Sequence, residues 1–345
     1  MLNSNKAPRR ALSIGVMACG LAVLIFCLVL AFTGSTLSFR GPLLVVGAIA
    51  FFVGLYLHPT VYHHRTIVNI IFLFPLLFTF VITVILPFAL GIFYSLTDWT
   101  GIRYTEFVGL QNYITMFKSK DFIYSIVLTV LFVVVNMILV NFVAFCLALL
   151  CTSKIKGVSF FRAAFFLPNL IGGIVLGYVW QFVFNKVFLT LFNTSFSILA
   201  DANGAFIAII AVYVWQYAGY IMMIYITGLQ QVPRDVLEAS AIDGANPLRT
   251  LFAIKIPMIA STFTICTFLT LTNSFKLFDQ NVALTGGEPA NLSEMLALNI
   301  YSTFYGRSGA QWKGIGQAKA VVFFLIVVVI SLVQLHFTRS KEVQS

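Results

Sequence analysis

The side chains that could meet a solute sit inside long apolar stretches. Tyr213, Gln216, Tyr217 and Tyr220 follow the spacing i, i+3, i+4, i+7, which sets them along one face of a helix. Thr270, Asn273 and Ser274 repeat that spacing in a later stretch. Polar groups in such surroundings are costly, so their positions are hints of function. Hydroxyls and amides beside aromatic rings suit a neutral, sugar-like solute, whose hydroxyls need donors and acceptors while its C–H faces stack on rings. The same stripes also suit hydrogen bonding between helices, and both readings stay open. Asn136, Asn141, Lys276 and Asp279 are further polar candidates, with Lys276 and Asp279, three apart on a helix, expected to satisfy each other.

Nothing in the chain is arranged for covalent chemistry. No paired carboxylates or histidine cluster falls within an apolar stretch, so no catalytic residue is assigned. His63 and His64 are adjacent and cannot face the same way on a helix, and with His58 they read as an interfacial cluster; no metal site is assigned. The five cysteines show no CxxC spacing and read as small hydrophobes. The pattern G-x-x-x-x-G-K-[ST], whose amides and Lys hold nucleotide phosphates, is absent, so no cofactor is expected on this chain.

The elements that must hold the stripes follow from composition. The 345 residues are 60% hydrophobic and 9% charged, with a mean hydropathy of +0.98. A soluble domain is about 25% charged, so this chain belongs in lipid; soluble enzyme, secreted scaffold and disordered tail are excluded. The net charge of +10 lies between apolar runs and reports membrane orientation rather than nucleic-acid binding. A bilayer-spanning helix needs about 20 apolar residues, which predicts about eight spans, over 12–32, 41–57, 68–96, 122–151, 160–184, 205–229, 257–279 and 318–337. The first, preceded by Lys6, Arg9 and Arg10, lacks a convincing cleavage site and reads as a retained anchor.

An even count puts both termini on one side. Lys6, Arg9, Arg10, Arg65, Lys154, Lys156, Arg162, Arg234, Arg249, Lys255, Arg339 and Lys341 all fall on that side, which predicts cytoplasmic termini. Trp99, Tyr104, Tyr301 and Trp312 fit an interfacial aromatic belt, and Pro75, Pro87 and Pro168 are expected to kink their spans.

Segment 233–257 has a shape that local chemistry alone implies. Pro233 suits the first turn of a helix, Asp235 its positive end, and Gly244 the left-handed residue that closes it. Asn246 then caps a second helix with Pro247 in its first turn. Val236, Leu237, Ala239, Ala241, Ile242 and Ala245 make the first helix too apolar for open water. Its acidic groups, Glu238 and Asp243, argue for docking onto a partner rather than lying on lipid.

Glu238-Ala239-Ser240, Asp243-Gly244-Ala245, Phe252 and Ile256-Pro257 resemble the EAA loop of the membrane subunits of binding-protein-dependent ABC importers, with Ser240 standing where Ala is usual. Tyr178–Asn185 and Leu284–Pro289 resemble segments of the carbohydrate-importer permeases related to the maltose permease; Glu288 replaces a usual Gly, so a different turn is expected there. The resemblance covers most of the chain from about residue 68. It implies an all-α, polytopic helical bundle with a permease domain at 67–345, and the first two apolar runs make a two-span hairpin at 1–66 ahead of it. Glu238, Ala239, Ser240, Asp243, Gly244 and Ala245 would form the joint to a separate ATPase subunit that binds ATP, and the late spans would contact the solute. The implied partners are a second permease subunit, ATPase subunits, an extracytoplasmic solute-binding protein, a carbohydrate and membrane lipid, with no nucleic acid. The implied location is the plasma (inner) membrane of a bacterium or archaeon. The alternatives are a polyol or glycerol phosphate as solute, or an ion-coupled secondary transporter.

Overall fold

A computed structural model describes residues 6–32, 40–57, 64–104, 106–153, 156–307, 309 and 311–339. Lys154, Lys341, His58 and His63, used in the charge and histidine readings above, lie outside them. Among the described residues the structure is helical, without a β-strand, and the chain divides into two compact units, Met1–Pro87 and Phe88–Ser345.

In the first unit, α1 (Lys6–Phe32) and α2 (Arg40–Tyr56) form an antiparallel hairpin. Gly20 faces the backbone of Gly47 and Phe51, and Ser13 Oγ donates to the Gly54 carbonyl at 2.9 Å. Where no hydrophobic force drives helices together, such close backbone approach supplies the contact. The next helix, α3, starts at His64 and reaches Ser95 through a π turn, Val81–Ile85. The wide turn falls just before Pro87, whose ring would crowd a regular one.

The second unit contains α4 (Gln111–Lys118), α5 (Lys120–Thr152), α6 (Val158–Leu170), α7 (Gly173–Phe192), α8 (Ala202–Gln230), α9 (Arg234–Ile242), α10 (Pro247–Met258), α11 (Ala260–Phe275), α12 (Asp279–Leu284), α13 (Leu296–Tyr301) and α14 (Gln311–Arg339). Its main core lies between α5 and α8, where Phe132, Val140, Ile209, Tyr213, Ile221 and Tyr225 are buried. Asn141 of α5 ties three helices: its amide donates to Thr270 Oγ1 of α11 at 3.3 Å and its oxygen accepts from the Tyr225 hydroxyl of α8 at 2.9 Å.

The expected spans are not all single helices. Phe72–Ser95, Lys120–Thr152, Gly173–Phe192, Ala202–Gln230 and Trp312–Phe337 are each long and apolar enough to cross a bilayer. A sixth crossing follows if α10 and α11, bent by 72° at Ile259, count together. Ala11–Cys27 and Gly41–Leu55 are shorter apolar helices, so the structure does not reproduce a count of eight. The expected span 160–184 is two helices. Pro168 sits in the last turn of α6, and Ile171 and Gly172 are extended before α7 begins, so the apolar run hides a backbone break.

Candidate functional site

The polar stripe of α8 lines two cavities in succession. Gln216 and Tyr217 border a cavity of about 260 Å³, together with Asn273 and the joint between α11 and α12. Tyr220, Met223, Ile224 and Thr227 continue the same face along a second, mainly apolar cavity of about 480 Å³, closed on the α6 side by Arg162 and Phe166. The residues 216, 217, 220, 223, 224 and 227 follow helical spacing, so one helix face presents a polar portion and then an apolar one.

Gln216, Tyr217 and Asn273 therefore meet around one space. Tyr213, Ser274 and Thr270 instead hold helices together: Ser274 Oγ donates to the Tyr213 hydroxyl at 3.1 Å, both side chains being fully buried, and Tyr213 stacks on Tyr217 with centroids 4.4 Å apart. Thr270 Oγ1 donates to the Cys266 carbonyl at 2.8 Å and accepts from Asn141.

The smaller cavity also contains Lys276, Asp279 and Gln280. Lys276 and Asp279 do not pair; among the described residues the ion pair present joins Arg307 to Asp121 at 3.6 Å. The sequence reading placed both on one helix, but α11 ends at Phe275 and α12 begins at Asp279, so the i, i+3 geometry is not there. Gln280 escaped the sequence reading because its stretch lacks a helical stripe. Its amide donates to Gln216 Oε1, and Gln216 Nε2 donates to the Ile171 carbonyl at 2.9 Å. A short helix is thus tied to the break between α6 and α7. Gly177 makes this possible, since a Cβ there would stand 2.6 Å from Ala283 Cβ of α12.

At the same end lies a polar cluster that the sequence reading missed. Lys319 of α14 is 1% exposed; its ammonium donates to Asn299 Oδ1 at 2.7 Å and Thr303 Oγ1 at 2.8 Å, and lies 5.1 Å from the Phe122 ring centroid. Asn299 donates in turn to Glu294, also buried, at 3.1 Å. The neighbouring loop is built on Asn281, which donates to the Ser293 carbonyl at 2.8 Å and accepts from Met295 N–H at 2.9 Å. Gly286 and Gly287 are left-handed, whereas Glu288 needs no such conformation and its carboxylate accepts from Ala290 N–H at 2.9 Å.

The 233–257 segment folds as local chemistry implies, with two adjustments. Pro233 is the N-cap rather than the first helical residue, and the second helix passes Pro257 by means of a π turn, Leu251–Lys255. Gly244 has φ +73°; its N–H bonds the Ala241 carbonyl at 3.1 Å and Ala245 N–H the Ser240 carbonyl at 3.0 Å, the paired bonds of a Schellman end. Asn246 Oδ1 accepts from Arg249 N–H at 2.7 Å. Ser240 turns inward, donating to the Leu237 carbonyl at 2.8 Å, while Glu238, Ala239 and Asp243 are exposed. Ile242, Leu248 and Phe252 of the same segment are exposed too, at 86%, 67% and 65%. Among the described residues no three His, Cys, Asp or Glu side chains gather as a metal site.

Residues 157–343 match the family model "Binding-protein-dependent transport system inner membrane component". The chain is 44% identical, over 79% of its length and 94% of the relative, to the probable starch degradation products transport system permease protein AmyD of Thermoanaerobacterium thermosulfurigenes. It is 33% identical to the multiple sugar-binding transport system permease protein MsmF of Streptococcus mutans, over 74% of this chain and 90% of that one. It is 30% identical to the trehalose/maltose transport system permease protein MalF of Thermococcus litoralis, over 78% and 92%. In fold it is similar, at a TM-score of 0.69 and 17% identity over 81% of this chain and 97% of that one, to a chain in the crystal structure of a bacterial ABC transporter involved in the import of the acidic polysaccharide alginate. A family match over more than half its length and 44% identity across nearly the whole of a permease relative make this multi-pass membrane chain a member of the binding-protein-dependent transport system inner membrane component family, the permease subunits of ABC importers.

Proposed function

We propose that this permease carries a carbohydrate of the starch-derived type into the cell. The observation that carries this reading is the 44% identity to a permease named for starch degradation products, with sugar permeases at 33% and 30% behind it. The 260 Å³ cavity supports it: amides of Gln216, Asn273 and Gln280 and the Tyr217 ring offer hydrogen bonds and a stacking face. Lys276 and Asp279 share that cavity, so its formal charge balances, which suits a neutral solute better than a phosphate ester. The family match leaves the ion-coupled reading without support.

The chain itself performs no catalysis and binds no cofactor; ATP is bound and hydrolysed by separate ATPase subunits. Glu238, Ala239, Ser240, Asp243, Gly244 and Ala245 present the joint to them, the acids and the exposed Ile242, Leu248 and Phe252 meeting a basic, apolar groove. A second permease subunit completes the pathway, an extracytoplasmic solute-binding protein delivers the sugar, and the apolar outer faces meet lipid. Residues 67–345 form the translocating domain and 1–66 an appended hairpin, with both termini in the cytoplasm of a bacterium or archaeon and the bundle in its plasma (inner) membrane.

The test is co-purification of the chain with its native neighbours, followed by ATP turnover with binding protein and maltose, maltotriose, a polyol or glycerol 3-phosphate. Turnover raised by a binding protein loaded with a maltodextrin is expected. Stimulation by glycerol 3-phosphate alone would overturn the solute, and solute transport by the isolated chain without ATP would overturn the coupling.

A further inference from the structure

We propose that Gln280 selects the solute, its side-chain oxygen accepting from a sugar hydroxyl, and that Gln216 is the residue that positions it. This rests on the carbohydrate reading above. The Ile171 carbonyl, freed where α6 ends, can only accept, so the 2.9 Å contact obliges Gln216 to present its amide nitrogen there. Gln216 Oε1 then points the other way and takes a donor, which obliges Gln280 to present its own nitrogen. Both amides are oriented by one backbone carbonyl.

The free end of this relay is Gln280 Oε1, which is buried and has no hydrogen-bond partner among the described residues. Gln280 is 2% exposed and forms part of the wall of the 260 Å³ cavity. A buried acceptor without a donor is costly, and a ligand that brings a donor removes that cost. A hydroxyl does so; a carboxylate or phosphate oxygen brings only another acceptor. The relay thus turns a break in the backbone into a preference for hydroxyl-bearing solutes.

The test is uptake into proteoliposomes holding the whole importer, with maltose and its monodeoxyfluoro analogues each at a concentration that saturates the binding protein. Fluorine replaces a hydroxyl without donating. The wild type is expected to carry one analogue roughly tenfold more slowly than maltose. Gln280→Met is expected to carry maltose at about that lower rate and to show no further loss with the same analogue. Gln216→Met, which releases the orientation, is expected to flatten the analogue profile as well. A Gln280→Met complex that slows every sugar by one common factor, or none, overturns the proposal, and so does a wild-type complex that carries all analogues equally, whether or not the variant assembles. A wild type that carries neither maltose nor any analogue removes the carbohydrate reading itself and this inference with it.

Discussion

The helix–turn–helix at 233–257 and the polar cluster around Lys319 are held in opposite ways. The 233–257 segment is made by its own neighbours in sequence: a glycine in a left-handed turn, an asparagine cap, backbone bonds spanning three to five residues, and apolar side chains left exposed. The cluster is made by residues far apart: Lys319 reaches Asn299 and Thr303, and Thr129 of α5 accepts from Leu296 N–H across 167 positions. A segment stabilised locally can present its surface to a partner without repacking the bundle. A segment stabilised by long-range polar contacts is part of the bundle's specification.

Changes in the two regions should separate stability from coupling. Lys319→Ala removes two charged hydrogen bonds and leaves buried acceptors behind, and is expected to cost about 3 kcal/mol, read as a lowered Tm of the detergent-solubilised complex. Gly177→Ala sets a methyl group 2.6 Å from Ala283 Cβ and should cost about 2 kcal/mol by the same measurement while displacing α12. Gly244→Ala meets no atom of the described residues within 4 Å, so its φ of +73° is what penalises it, and about 1 kcal/mol is expected. The smallest effect on stability belongs to Glu238→Lys, within about 0.5 kcal/mol for an exposed side chain, although uptake and stimulated ATP turnover are expected to be lost. If Glu238→Lys lowered Tm as much as Lys319→Ala, or transported at the wild-type rate, the contrast between the two regions would not hold.

The same contrast explains what could be read from the chain. Asn246, Pro247 and Gly244 act on residues within five positions, so their signals survive in a linear reading. Lys319 carries no signal in a linear reading, because its partners come from α13 and the turn after it. Lys276 and Asp279 were assigned to one another for the spacing alone, and the end of α11 at Phe275 separates them. The stripe of α8 was legible as a stripe, but spacing could not divide Gln216 and Tyr217, which border a cavity, from Tyr213, which is buried against Ser274.

Composition and periodicity alone determined that this chain is a helical membrane protein with a capped helix–turn–helix at 233–257, because hydropathy and helix capping act over one or two turns. Tertiary structure alone decided where helices break, which polar groups share a space, and that Gln280 faces it. Those outcomes depend on which distant carbonyl, amide or ammonium is left to satisfy a buried group, and no local pattern encodes that pairing.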